Sequence, residues 1–121
     1  MSAKLALQIG AVLATIFGLA LALAPVQMLG GFGMATPPEA LVVSRDIGVT
    51  LLGVAVINWL ARDQTGPAVR AILIGNVVIQ VLEALVNGWE VAAAIIPVQA
   101  LGGVVLHVIL AVIFILPLRR A

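Results

Sequence analysis

Four side chains that can form hydrogen bonds recur along the third apolar segment of the chain, namely Asn76, Gln80, Glu83 and Asn87. Their spacings of four, three and four residues place them on one face of an α-helix. In an otherwise apolar helix, such a face is expected to point towards protein or water rather than lipid. The spacing therefore predicts a polar stripe inside a bundle of helices.

Three further ionisable residues, Arg45, Asp46 and His107, lie within two other apolar segments. From the rise per residue we expect Arg45 about 10 Å and Glu83 roughly 7–8 Å below one membrane surface, with His107 near the midplane. Opposite charges at similar depth predict an ion pair, which would keep the carboxylate ionised in dry surroundings. Asp46 points elsewhere on its helix, so we expect its partner to be His107 or Gln80.

These groups permit two interpretations of the membrane-embedded cluster, which contains Arg45, Asp46, Asn76, Gln80, Glu83 and His107. In the first, Arg45 and Glu83 form a buried clamp that fixes helix register, and His107 and the amides complete the hydrogen bonds. In the second, the same groups line a cavity that binds a ligand or relays a proton. At the level of the sequence both interpretations stay open.

Other chemistries find no support in the composition. The chain has no cysteine and a single histidine, so no metal site is expected. A net charge of +1 leaves no basic surface for nucleic acid. Ser2 and Ser44 have no base nearby that would activate a hydroxyl group. We therefore expect no catalytic residue, no cofactor and no enzymatic activity.

Four apolar runs must position these side chains. Of the 121 residues, 64% are hydrophobic and 9% are charged, whereas a soluble domain carries about 25% charged residues. Each run is close to the ~20 residues that a helix needs to cross the hydrocarbon, where the backbone must bond internally. We predict an all-α, up-down-up-down bundle of four transmembrane helices in a single domain, residues 1–121. The expected helices are about 5–24, 40–61, 68–86 and 98–116.

The connections and small residues refine this bundle. The apolar segment 25–38 is expected to lie at the membrane interface as a loop or short helix; the alternative is a re-entrant functional loop. Residues Gly10, Ala14, Gly18 and Ala22 recur every four positions, which is typical of close helix packing in membranes. The first span is longer than the ~7–15 residues of a signal-peptide core, so we expect it to be retained. Because their loop is short, the second and third helices are expected to be neighbours.

The basic residues predict the orientation of the chain. Four spans place both termini and the second loop on one side, and this side carries Lys4, Arg62, Arg70, Arg119 and Arg120. The positive-inside rule assigns that side to the cytoplasm. We therefore predict a multi-pass protein of the inner (plasma) membrane with both termini cytoplasmic.

The run RDIGVTLLGVAVINWLARD, followed by RAILIGNVV, resembles small uncharacterised bacterial four-helix membrane proteins loosely grouped with DoxX-like proteins. In those proteins an arginine opens the second helix and NWLAR closes it, and the resemblance covers Arg45 to Val78. It implies a helical bundle in a bacterial inner membrane, and an accessory role, because some DoxX-like proteins are subunits of membrane redox complexes. Small multidrug resistance transporters are similar in size, but their essential carboxylate lies in the first helix, where this chain has Gln8 and Thr15.

Two functional hypotheses follow from the sequence. The leading one is a non-enzymatic membrane protein that serves as an accessory or assembly component of a membrane complex, or binds an apolar molecule such as a lipid or quinone. Its expected partners are the lipid bilayer and either another membrane protein or a second copy. The alternative is a small homo-oligomeric transporter or channel that uses Arg45, Asp46, Glu83 and His107.

Overall fold

The computed structural model describes residues 1–120, and their regular structure is entirely helical. The elements are α1 (Ala3–Leu23), α2 (Pro25–Gly31), α3 (Pro38–Ala61), α4 (Pro67–Ala92), a 3₁₀ turn (Val98–Ala100) and α5 (Leu101–Leu118). The long helices α1, α3, α4 and α5 alternate in direction. The predicted all-α, up-down-up-down four-helix bundle is thus confirmed.

Two elements refine the predicted boundaries. The apolar segment after α1 contains the short helix α2, which begins at Pro25, a residue whose fixed φ suits the first helical position. Helix α4 runs to Ala92, six residues past the predicted end at 86, because Asn87 and Gly88 continue the helix instead of breaking it. It stops before Ala94, whose φ of 56° lies in the left-handed region.

Helices α1 and α3 pack with their backbones in close contact. A Cβ atom added at Gly48 would lie 2.6 Å from the backbone nitrogen of Ala22 and 2.7 Å from the carbonyl oxygen of Gly18. Next to this contact the Ser44 hydroxyl donates a hydrogen bond of 3.0 Å to the carbonyl oxygen of Leu21. Gly18 and Ala22, two members of the predicted small-residue stripe of α1, therefore let two backbones approach closely, as predicted.

The second tightly packed pair consists of α4 and α5, and the two pairs meet less closely. The second and third long helices, α3 and α4, are neighbours as predicted, but they touch at few positions despite their short loop. The glycine face of α3 draws it to α1 instead. A core that contains Leu7, Leu73, Leu110 and Phe114 joins the pairs.

Polar contacts bring the two chain ends together at one end of the bundle. The Lys4 ammonium lies 2.7 Å from an Asp63 carboxylate oxygen, and the Arg70 guanidinium donates a 3.4 Å hydrogen bond to the carbonyl oxygen of Leu118. These contacts bring both chain ends and the α3–α4 loop together at what we call the termini end; the opposite end, which carries α2, is the α2 end. All four long helices are long and apolar enough to cross a membrane, which indicates a multi-pass membrane protein.

Candidate functional site

A cavity of about 230 Å³ lies between the α1–α3 pair and the α4–α5 pair. Its walls are mainly apolar and include Leu13, Phe17, Leu51, Val54 and Leu106. Its polar lining residues are Asn58, Asn76, Gln80, Glu83 and His107. The loose meeting of two tight helix pairs thus creates an apolar chamber with polar groups.

Asn58 and Asn76 bridge α3 and α4 at the part of the cavity nearer the termini end. Each amide nitrogen donates to the other residue's side-chain oxygen, at 3.0 Å and 2.8 Å. The Asn76 amide also donates to the carbonyl oxygen of Ile72 at 2.9 Å. Both side chains are buried, with exposed fractions of 1% and 5%. Because these buried groups are paired with each other, this bridge serves as a fixed polar contact between helices.

Gln80 and His107 form a second polar pair across α4 and α5, in the middle of the cavity. The Gln80 side-chain oxygen lies 2.7 Å from Nδ1 of His107. A carbonyl oxygen only accepts, so Nδ1 carries the proton and Nε2 of the neutral ring is an acceptor. Within residues 1–120 that second nitrogen and the Gln80 amide nitrogen have no protein partner. This pair therefore retains one acceptor and a donor group for a ligand.

Glu83 lines the cavity one turn further towards the α2 end. Its carboxylate accepts a 3.3 Å hydrogen bond from the Asn87 amide on the same helix. The predicted ion pair with Arg45 was wrong, because the ion pairs within residues 1–120 are Lys4–Asp63 and Arg62–Asp63. The cavity thus gains an acidic group at its α2 end, without a neutralising arginine.

Arg45 and Asp46 lie outside the cavity lining and on the exposed surface of α3. The prediction that His107 or Gln80 would bind Asp46 was wrong, since those two residues pair with each other. The cause is the rotation of α3, which turns Ser44 and Gly48 towards α1. Successive residues are about 100° apart around a helix, so this rotation directs Arg45 and Asp46 outwards.

The short helix α2 and the loop after it cover the α2 end of the cavity. Met28 and Phe32 contribute to the lining there, and Gly103 of α5 lies opposite. A Cβ atom at Gly103 would lie 3.9 Å from the Phe32 ring, which is ordinary van der Waals distance. The apolar residues predicted to lie at the membrane interface therefore close one end of the chamber.

Asn58 is the residue of the candidate site that the sequence interpretation missed. It lies within NWLAR, beside Trp59 and close to basic residues, and so resembled part of an interfacial helix end. The missed signal is its place in the series Ile47, Leu51, Val54 and Asn58, whose spacing marks one face of α3. All four members of that series line the cavity.

In the described part of the chain, residues 1–120, no group of three His, Asp or Glu side chains is arranged to hold a metal ion.

Comparison of the sequence with protein families and curated proteins, and of the fold with solved structures, finds no match.

Proposed function

We propose that this protein binds a small apolar ring compound with polar oxygen substituents, such as the ring of a quinone, in the cavity between its helix pairs. The observation that carries this proposal is the Gln80–His107 pair, which lies on an apolar chamber and keeps hydrogen-bonding capacity unused. Small-molecule sites in proteins share this composition, with apolar walls and a few placed polar groups.

The size of the cavity favours a small ring compound over a whole lipid as the ligand. Its volume of about 230 Å³ exceeds the roughly 150 Å³ of an apolar cavity that takes up benzene. It lies below the roughly 300–1,000 Å³ of pockets for drug-sized ligands. A substituted ring therefore fits inside, whereas a phospholipid would leave most of its length outside.

The polar lining favours an oxygen-bearing ring over a plain hydrocarbon. The Gln80 amide can donate to a carbonyl oxygen, and Nε2 of His107 can accept from a hydroxyl group. A quinone presents the first kind of group and its reduced form presents the second. The asparagine bridge has much less hydrogen-bonding capacity left for a ligand, because the side chains of Asn58 and Asn76 bond each other.

The proposal includes a bacterial inner-membrane location with both termini in the cytoplasm, and a role in holding the molecule rather than transforming it. The first part is supported by the grouping of five of the six basic residues at the termini end, namely Lys4, Arg62, Arg70, Arg119 and Arg120. The resemblance of Arg45–Val78 to DoxX-like proteins supports an accessory role beside a membrane complex.

The transporter or channel hypothesis receives less support from the geometry. It requires a polar route through the bundle, whereas the cavity walls are mainly apolar. Towards the termini end the lining includes Asn58 and Phe114, both of which are buried. Arg45 and Asp46, which that hypothesis also used, lie off the lining.

Thermal unfolding of the purified full chain in a mild detergent tests ligand binding. Menadione, a methyl-substituted naphthoquinone, should raise the unfolding temperature more than methylnaphthalene, the hydrocarbon of similar shape. Loss of one hydrogen bond is worth about 0.5–1.5 kcal/mol, so Gln80→Leu should weaken menadione binding by about twofold to tenfold. His107→Phe should weaken by a similar factor the binding of the reduced form, menadiol, whose hydroxyl group can donate to Nε2. The same changes should leave methylnaphthalene binding nearly unaltered.

Adjacent glycines of α5 provide a matched control for the location of the ligand. Gly103 lines the cavity, so Gly103→Leu should fill it and abolish binding of both probes. Gly102 is exposed and outside the lining, so Gly102→Leu should bind them normally. Binding that survives Gly103→Leu would place the ligand elsewhere, and equal affinity for both probes would remove the role of the polar pair.

A further inference from the structure

The outward face of α3 carries an exposed line of valines with two charged residues beside it. Val42, Val49 and Val56 follow one another at intervals of seven residues and are 55%, 58% and 56% exposed. Arg45 and Asp46 lie between the first two valines and are also exposed. Seven residues make nearly two helical turns, so the valines form a single seam along the helix.

Neither charged side chain has a partner within the described chain. Among residues 1–120, the ion pairs involve Lys4, Arg62 and Asp63, and the Thr50 hydroxyl bonds to the backbone carbonyl of Asp46 rather than its carboxylate. Adjacent residues on a helix point in different directions, so Arg45 and Asp46 do not satisfy each other. About 10 Å from the helix start at Pro38, both lie within the membrane span.

Charged groups at such a depth are costly in contact with acyl chains. An anionic lipid headgroup would suit Arg45 but would repel Asp46. A partner that satisfies both must offer one acidic and one basic group at a matching height. A second copy of this chain has that pair of groups.

The geometry of a two-fold axis along the membrane normal makes the match reciprocal. Two copies inserted in the same direction have equal residues at equal height, and their α3 helices face each other across the valine seam. Arg45 and Asp46 are about 100° apart around the helix and lie on opposite sides of that seam. Arg45 of one copy therefore faces Asp46 of the other, and the symmetry repeats this contact.

Small residues on the same face permit close approach. Gly53 is exposed, and a Cβ atom added there would have no atom within 4 Å. Small residues of this kind are common where transmembrane helices associate. Nearer the termini end, Val56 and Leu60 border a groove that α1 and α3 form on the outer surface, which gives further apolar area for contact.

We propose that the outward face of α3 is a self-association surface, on which two copies pair in parallel through the valine seam and two reciprocal Arg45–Asp46 ion pairs. This surface is separate from the cavity, so either proposal can fail without the other. The pairing removes the exposed charges from lipid and gives them a fixed register.

Disulfide crosslinking in native membranes tests the pairing directly. The chain has no cysteine, so Gly53→Cys introduces a single thiol near the seam. This variant should form a covalent dimer on mild oxidation. Gly75→Cys is the matched control, because Gly75 is an exposed glycine of α4 with open space around it. Gly53 and Gly75 each lie about 12 Å from the termini end of their helices, so the two thiols have the same depth. Gly75→Cys should crosslink at least tenfold less.

Charge reversal in the Gly53→Cys background tests the ion pairs. Arg45→Asp makes both positions acidic and Asp46→Arg makes both basic, so each alone should lose self-crosslinking by at least tenfold. The two variants, expressed together with different tags, should crosslink with each other. The exchanged double variant Arg45→Asp/Asp46→Arg keeps the same charges and should regain self-crosslinking, which separates loss of pairing from loss of folding.

Three results would overturn the proposal. One is an absence of crosslinking in Gly53→Cys with native charges, as expected of a monomer whose Arg45 extends to the headgroups. Another is crosslinking of Gly75→Cys at the same rate, which indicates random collision. The last is self-crosslinking that is unaffected by either single reversal.

Discussion

Two contacts between long helices differ in how they are packed. One is the tight seam between α1 and α3, and the other is the looser seam between the α1–α3 pair and the α4–α5 pair. Between α1 and α3, glycines bring backbone against backbone, and almost nothing separates Gly48 from Gly18 and Ala22. Between the two helix pairs, larger side chains hold the backbones apart, enclose a cavity, and are linked by Asn58 and Asn76. The first seam leaves no space for a ligand, and the second leaves space together with polar groups.

This contrast shows how a small membrane protein can be rigid and still hold a ligand. Lipid gives helices no hydrophobic reason to associate, so close packing and hydrogen bonds must hold them together. Here close packing fixes α1 on α3, while hydrogen bonds bridge the looser seam. The polar side chains of that seam then divide between the Asn58–Asn76 bridge, whose groups bond each other, and the Gln80–His107 pair, which keeps an acceptor and a donor group for a ligand.

The change that should break the tight seam most severely is Gly48→Ala. Its methyl group would meet backbone atoms of Gly18 and Ala22, which cannot rotate away as a side chain can. We expect a loss of about 1–3 kcal/mol in the free energy of unfolding, the usual cost of an overpacked core. Unfolding in detergent, followed by circular dichroism, measures it.

Gly75→Ala serves as the control for Gly48→Ala, because a Cβ atom there meets nothing within 4 Å. It should leave stability unchanged or slightly increased, since alanine is the better helix former. Equal losses in the two variants would show that the cost arises from the helices themselves and not from their contact.

The next largest effect should come from the asparagine bridge. Asn58→Leu leaves the buried amide of Asn76 without one partner, which costs about 1–3 kcal/mol. Asn76→Leu should cost a similar amount. The double variant should lose less than the sum of the two, because no unpaired amide remains.

A comparison with Gln80→Leu tests the distinction between the structural Asn58–Asn76 bridge and the Gln80–His107 binding pair. Gln80→Leu should change the stability much less than either asparagine variant, because the Gln80 side chain is only half-buried. If the asparagine effects were additive, or if Gln80→Leu were equally costly, the division into a structural bridge and a binding pair would have to be abandoned.

The extent to which the sequence predicted this arrangement depends on the kind of pattern used. Periodicity within one helix was a good guide, since three of the four members of the predicted polar stripe, Asn76, Gln80 and Glu83, line the cavity, whereas Asn87 does not. Pairing between helices was not, because it assumed that depth and loop length determine the neighbours. Gly48 overrides both by turning α3 towards α1, and this rotation separates Arg45 from Glu83. A spacing rule specifies a face, whereas the partner depends on how closely two backbones can approach.

The smallest expected effect concerns the aqueous termini end, where Lys4 of α1 meets the α3–α4 loop. The hydrogen bond from Lys4 lowers the pKa of Asp63 below its ordinary value of 3.8, with further help from the Lys4 and Arg62 charges. A carboxyl group with a lowered pKa in the folded state stabilises the fold above its ordinary pKa, and this contribution disappears as the pH falls through the lowered value. Because the pair is exposed, we expect only a slight effect that salt weakens further.

Comparison of unfolding temperatures at pH 6 and about pH 3, in the unchanged protein and in Asp63→Asn, measures this contribution. The variant should lose a small part of the acid sensitivity, and Lys4→Met should lose the same part because it removes the donor. If Asp63→Asn instead destabilised the protein as much as Gly48→Ala, the contact between α1 and the loop would hold the helix pairs together. The looser seam would then depend on its aqueous end more than on its buried amides.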